Sequence, residues 1–151
     1  MNINNTLSLA NGKNPANIGN LTDDQKKAYI GLIEFINADY NENDFKRALI
    51  GPAGTGKTHI LKAIIKNCKY AYSTIGLSAP SHKACRVLRE NLIGVTNNVN
   101  TVQSDFGLRL NFDIEKFDIN NPPFDPKGNV KVDNYNLYII DEASMINKGL
   151  L

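Results

Sequence analysis

The sequence predicts an α/β fold in which helices flank a parallel sheet, and three observations predict it. Apolar residues alternate between strand-like runs and helical spacing from residue 21 to residue 94. A glycine-rich turn, "GPAGTGKT" at 51–58, sits between an apolar run and a helical pattern. A short, wholly apolar stretch, "LYII" at 137–140, ends in two acids, Asp141 and Glu142, as a strand in the middle of a parallel sheet does.

The elements follow in order. Residues 1–20 have no period and are expected to be disordered or loosely docked. "LTDDQKKAYIGLIEFINADY" then carries a helical stripe through Ala28, Leu32, Phe35 and Ile36, with Thr22 as its N-cap. Phe45–Ile50 reads as a strand leading into the glycine turn, and "KTHILKAIIKNC" returns to helical spacing through Ile60, Leu61, Ile64 and Ile65. "YAYSTIGLSAP" from Tyr70 is aromatic and β-branched and reads as a second strand. A helix from Ser81 to about Gly94 follows it. The rhythm breaks between 95 and 136. Within that stretch "LRLNFDIEKF" alternates through Leu108, Leu110, Phe112 and Ile114, and "NVKV" at 129–132 alternates again, which suggests a hairpin. The competing reading is an irregular surface insertion, because the connecting loop is long.

With 151 residues, 42% of them apolar and 21% charged, the chain has room for one domain with a core, expected over 21–151 with an insertion at about 108–133. No run approaches the ~18 apolar residues of a membrane span. The Asn-rich N-terminus lacks a basic-then-apolar signal pattern, so a cytoplasmic protein without a membrane partner is expected. A formal net charge of +2 neither identifies nor excludes a nucleic-acid binder. Cys68 and Cys85 fall in separate helical patterns without metal-ligand spacing and are expected to be buried, reduced thiols.

Gly51, Gly56, Lys57 and Thr58 fit G-x-x-x-x-G-K-[ST] in the strand-to-helix context that this motif requires. Glycines there let backbone N–H groups crowd around phosphates without a Cβ in the way, and the following helix adds its positive end. The expected nucleotide cradle is thus Gly51, Pro52, Ala53, Gly54, Thr55, Gly56, Lys57 and Thr58. Lys57 would neutralise β and γ oxygens of ATP, and Thr58 would offer its hydroxyl to Mg²⁺. Asp141 would be the carboxylate partner of that metal, and Glu142 the base that orients and deprotonates a water, which together imply ATP hydrolysis. The plainer alternative is that the two acids are solvated charges after a strand.

Around these motifs the chain resembles the superfamily 1 DNA helicases of the RecD and Dda branch, over about residues 21–147. The resemblance is carried by "LTDDQKKAY", "GPAGTGKT", "LSAPSHKACRVL", "NVNTVQSDFGL" and "IIDEASMI", in that order. It implies a P-loop NTPase of RecA-like architecture and, as partners, single-stranded DNA and fork DNA. It also implies that Gln25 reads the adenine edge, although Thr22 and Gln25 equally form a Thr-x-x-Gln capping box. By the same resemblance Pro80, Ser81, His82 and Lys83 line a single-strand track, and Thr101 and Ser104 contact phosphates. Ser81 as a simple helix cap, with Lys83, Arg86 and Arg89 as a solvated face, is the competing reading. Gln103 stands where the family commonly has histidine, so no role carries over to it. Phe106 is either a base-stacking aromatic or core. The 108–133 insertion corresponds to a duplex-splitting pin, with Phe112, Phe117 or Phe124 as its wedge.

The later motifs of such motors do not appear before Leu151, so an incomplete motor is expected, with a second motor domain supplied by further chain or by a partner. In RecA-like sheets the strand after the acid pair inserts beside the P-loop strand, so backbone groups there are expected to be unpaired. Two other classes remain open from the sequence: a non-catalytic nucleotide-binding remnant or interaction module, and a P-loop ATPase of another kind, such as a loader.

Overall fold

The computed structural model describes residues 17–96, 98–110, 124–126 and 128–146. The chain divides into two compact units, Met1–Tyr72 and Ser73–Leu151.

The first unit is built on two helices, α1 (Asp23–Asn37) and α2 (Lys57–Asn67). Thr22 caps α1 in a reciprocal box: its hydroxyl accepts from the Gln25 N–H, and the Gln25 side-chain oxygen accepts from the Thr22 N–H at 3.0 Å. Two otherwise orphaned donors are satisfied in this way. At the other end the Lys69 ammonium donates to the carbonyls of Asn37 (3.0 Å) and Ala38 (2.7 Å), placing a cation where the helix dipole is negative. The buried stripe of α1 is Tyr29, Ile33 and Ile36, one residue on from the expected one, with Ala28, Leu32 and Phe35 half-buried. Tyr29 moves the stripe because its ring takes a core position while its hydroxyl accepts from the buried Asn67 amide at 2.9 Å. From α2 the core receives Ile60, Ala63, Ile64 and Ile65.

Residues 45–50, expected as a strand, form no ladder among the described residues. Phe45 is 57% and Ile50 90% exposed, so the segment has strand composition without the neighbour that would take its backbone hydrogen bonds.

The second unit is a parallel three-stranded sheet with a helix packed on it. Its strands are β1 (Ile75–Ala79), β2 (Val99–Thr101) and β5 (Leu137–Ile140), in the order β2-β1-β5. Leu77 pairs with Val99 on one side and with Ile139 on the other, and all five residues of β1 are buried, as a central strand requires. β1 begins at Ile75, later than expected, because Tyr72–Thr74 turns as a 3₁₀ segment. Helix α3 (His82–Asn91) buries Cys85 and Leu88; the Cys85 thiol donates to the Asn100 carbonyl at 3.0 Å, and burial pushes its pKa up. Both cysteines are buried, as expected. Gly76 is fixed by contact: a Cβ there would lie 2.3 Å from the Tyr135 ring, so the aromatic packs directly on the strand backbone.

After the one-turn helix α4 (Val102–Asp105) comes an antiparallel pair, β3 (Leu108–Leu110) with β4 (Phe124–Pro126), in the register Arg109↔Asp125. The hairpin exists, but its second strand is 124–126 and not "NVKV". Residues 129–131 are irregular and Val132–Asn134 is a 3₁₀ turn, tied by the Lys131 N–H to the Asp105 carbonyl at 2.8 Å. Phe112, Phe117 and the expected tip lie outside the described residues. Among those that are described, no helix is long and apolar enough to cross a membrane.

Candidate functional site

In the first unit the 51–58 loop is shaped by its backbone. Gly54 and Gly56 take left-handed φ values of 78° and 81°, and Gly56 is the N-cap of α2. A side chain at Gly56 would be strained, and its Cβ would lie 2.5 Å from the Gln25 amide nitrogen. That nitrogen donates to the Thr55 carbonyl at 2.9 Å, so Gln25 joins the cap of α1 to the glycine loop. The capping reading is therefore realised, and the same amide reaches the loop. Thr55 closes the turn by donating its hydroxyl to the Pro52 carbonyl at 2.9 Å. Pro52, Ala53 and Gly54 are exposed on the turn.

Lys57 sits at the first position of α2, and its ammonium donates to the carbonyls of Gly51 and Pro52, each at 2.8 Å. A cation is thus held inside the loop by neutral acceptors alone. A phosphate oxygen is a stronger partner for an ammonium than a carbonyl, because a charge-assisted bond is roughly twice as strong. The loop therefore fits a polyphosphate: the cation is in place, and left-handed glycines keep its floor free of Cβ atoms. Thr58 follows on the first turn of α2, half-buried.

In the second unit the acids end β5. The Asp141 N–H donates to the Ser78 carbonyl at 2.8 Å, which is the last hydrogen bond of that edge and fixes where the strand stops. Glu142 then turns at φ 53°, ψ 37°, the one non-glycine residue with positive φ among the described residues, and its carbonyl accepts from the Met145 N–H at 2.9 Å. Such a conformation carries backbone strain and is seen more often at functional corners. Hydroxyl and carboxylate oxygens, the donors of Thr58 and Asp141, are the type Mg²⁺ prefers. No cluster of three His, Cys, Asp or Glu side chains suited to a metal occurs among the described residues.

The residues expected at nucleic acid also lie in the second unit. Ser81 caps α3, its hydroxyl accepting from the Ala84 N–H at 3.2 Å, while His82 and Lys83 are exposed on the first turn. Thr101 is 9% exposed and its hydroxyl accepts from the Ser104 N–H at 3.2 Å; Ser104 itself is exposed. Gln103, which had no expected role, donates to the Pro80 carbonyl at 3.4 Å and so holds the 80–83 and 101–104 segments together. Phe106 is 40% exposed and meets Tyr138 edge-on, with centroids 5.9 Å apart.

Sequence reasoning missed a buried polar group behind these segments. Asp105 is fully buried, accepting from the Asn100 amide at 2.9 Å and the Tyr138 hydroxyl at 3.3 Å. Burial pushes the Asp105 carboxyl up, against the opposing pull of Asn100, Lys131 and Tyr138. Burial likewise pushes the Tyr138 hydroxyl far up, with Ser78 beside it acting in the other direction; the Ser78 hydroxyl is itself buried without a satisfied hydrogen bond. A lone charged letter in "TVQSDFGL" resembles a surface residue, and only the long-range contact to Tyr138 shows otherwise.

A family model described as an AAA domain matches residues 20–151. The chain belongs to this family. Neither the curated proteins nor the solved structures give a match. The parallel sheet flanked by helices and the glycine loop with its lysine agree with an AAA domain of the P-loop NTPase kind, whose loop binds nucleotide.

Proposed function

We propose that this AAA domain is the ATP-binding motor domain of an ATP-dependent DNA helicase of the RecD and Dda type, acting on single-stranded DNA and forks. The observation that carries the nucleotide half is the Lys57 ammonium held on the Gly51 and Pro52 carbonyls inside a turn with two left-handed glycines. The DNA half is supported by the motif order in the sequence and by the Gln103 contact to Pro80, which joins two of those motifs.

In this reading Gly51–Thr58 holds the phosphates of ATP, and Lys57 exchanges loop carbonyls for phosphate oxygens. Thr58 and Asp141 are the residues that would hold Mg²⁺, and the ion would supply charge neutralisation on the phosphate oxygens. Glu142 orients and deprotonates the attacking water, its backbone turn setting where the carboxylate leaves the end of β5. Gln25, with one amide N–H uncommitted among the described residues beyond its bonds to Thr22 and Thr55, is the candidate for the adenine edge. Pro80, Ser81, His82, Lys83 and Ser104 form the strand-facing surface; Thr101 supports it from within by holding Ser104.

The test is a pair of titrations on the 151-residue chain: a fluorescent ATP analogue with Mg²⁺, and fluorescein-labelled oligo(dT) at two salt concentrations. Saturable binding of both, with DNA affinity falling as salt rises, is expected. Nucleotide binding without DNA binding would leave an AAA-type ATP-binding domain of another kind.

A further inference from the structure

The buried carboxylate of Asp105 has no part in the proposed chemistry, yet the second unit is arranged around it. Its side chain is reached from β2 by Asn100 and from β5 by Tyr138, and Ser78 of β1 lies beside Tyr138. All three strands of the sheet thus send one polar side chain to the same place.

Each strand continues into a segment that the functional reading uses. Beyond Ser78, β1 runs into Pro80 and Ser81; beyond Asn100, β2 runs into the Thr101–Ser104 turn; beyond Tyr138, β5 runs into Asp141 and Glu142. Asp105 ends the α4 turn that begins after Thr101, so displacing Ser104 or Gln103 displaces the carboxylate. Movement of the carboxylate is felt at Tyr138, three residues before Asp141. A buried charge held by two neutral donors costs stability relative to an apolar side chain, so a purely architectural role is a poor reason for it.

We propose that Asp105, through its hydrogen bond to Tyr138, is a positioning residue that couples nucleic-acid contact at the 80–83 and 101–104 segments to the Asp141–Glu142 corner. This rests on the helicase reading of the same surfaces. Coupling between two binding sites is reciprocal, so DNA changes the affinity for Mg-nucleotide by the same factor by which the nucleotide changes the affinity for DNA.

The experiment measures that factor and needs no turnover. The affinity of the 151-residue chain for a fluorescent ATP analogue with Mg²⁺ is measured with and without saturating oligo(dT), in wild type, Tyr138→Phe and Asp105→Asn. Phe at 138 keeps the ring that packs against Phe106 and Tyr135 and removes only the hydroxyl. Asn at 105 keeps the side-chain shape. The expected wild-type factor is about fivefold or more. It should fall to within about twofold of unity in Tyr138→Phe, which removes the contact, and to an intermediate value in Asp105→Asn, whose amide carbonyl still accepts from Tyr138 but without the charge; the double variant should fall no further than Tyr138→Phe. Nucleotide affinity without DNA should stay within about twofold of wild type, a result that a loss of general stability would not give. A wild-type factor of one, or a factor unchanged in the variants, overturns the proposal. Failure of the wild-type chain to bind nucleotide or DNA at all overturns the functional reading instead, and the proposal with it.

Discussion

The two units place chemistry in the chain in opposite ways. In the first, the candidate cradle is backbone: carbonyls of Gly51 and Pro52, left-handed glycines, and one lysine folded onto them at the half-buried start of α2. In the second, the polar chemistry is side chain: Asp105, Asn100, Tyr138 and Ser78 gathered beneath a sheet whose central strand is wholly buried. A backbone site needs a local run of particular residue types and so writes itself into contiguous sequence. A side-chain site assembled across strands needs only single residues far apart in the chain, 33 positions in the case of Asp105 and Tyr138.

The largest effect that would sharpen this contrast is expected at Lys57. Lys57→Ala removes the charge that in the proposed reading meets the phosphates, and charge-assisted hydrogen bonds contribute about 1.5–3 kcal/mol each. Affinity for the fluorescent ATP analogue should fall by about two orders of magnitude while the melting temperature changes little, since the lysine's hydrogen bonds go to loop carbonyls outside the buried core. Equal affinity in both proteins would mean that the loop is not a phosphate cradle.

Next comes Gly76, where backbone and side chain meet in the second unit. Gly76→Ala drives a methyl into the Tyr135 ring, at 2.3–2.7 Å from its carbons, and overpacking of this kind costs about 1–3 kcal/mol. Tyr135 stacks on Tyr138 at 6.0 Å, so the damage should reach the polar group as well. Urea denaturation followed by tyrosine fluorescence should show the lower midpoint, and an unchanged midpoint would mean that Tyr135 does not pack there.

The first unit has a smaller counterpart at the start of α1. Thr22→Ala deletes half of the capping box and should cost about 1 kcal/mol, read as a lower midpoint in the same experiment. Because Gln25 also bonds to the Thr55 carbonyl, the loss should be accompanied by a modest decrease in nucleotide affinity. A stability loss with unchanged affinity would separate the cap from the cradle.

What could be read beforehand follows the same division. The helices, the glycine loop, the Thr22 box and the buried cysteines all depend on near neighbours, and they stand where the pattern put them. The apolar run before Asp141 is a strand of a parallel sheet, but among the described residues it lies half-buried at the end of the strand order and not in the middle, which its composition alone could not show. The strand at 45–50 was expected from its apolar letters, but a strand is defined by its neighbour, and none pairs with it among the described residues. The hairpin was legible as alternation at 108–110. Its partner was misplaced at 129–132 because "FDP" at 124–126 has weak strand character, and proline there is tolerated only at an edge. Tyr29 in place of Leu32 at the centre of α1 depended on a hydrogen bond to Asn67, 38 residues away.

The smallest effect is expected as a slope. Asp44 in the first unit is fully exposed beside Arg47, whose hydrogen bond holds its carboxyl below the usual range; Asp105 in the second is buried and held above it. The signs are therefore opposite. A carboxyl raised in the folded chain keeps its proton at a pH where the unfolded chain has lost it, so its stabilising effect is fully present below the ordinary carboxyl value. That effect disappears as pH rises from that value through the folded one. The groups facing Asp105 leave this direction intact: Asn100 does not titrate, Tyr138 and Cys85 are both shifted upward by burial, and Lys131 opposes the shift without reversing it. Asp105→Asn should thus abolish a decline in urea midpoint between about pH 4 and neutrality that wild type shows, while Asp44→Asn leaves that decline in place. A wild-type midpoint that instead rises over this range in an Asp105-dependent way would mean that the carboxylate is held charged by its neighbours, and the contrast between the two units would then lie in burial alone.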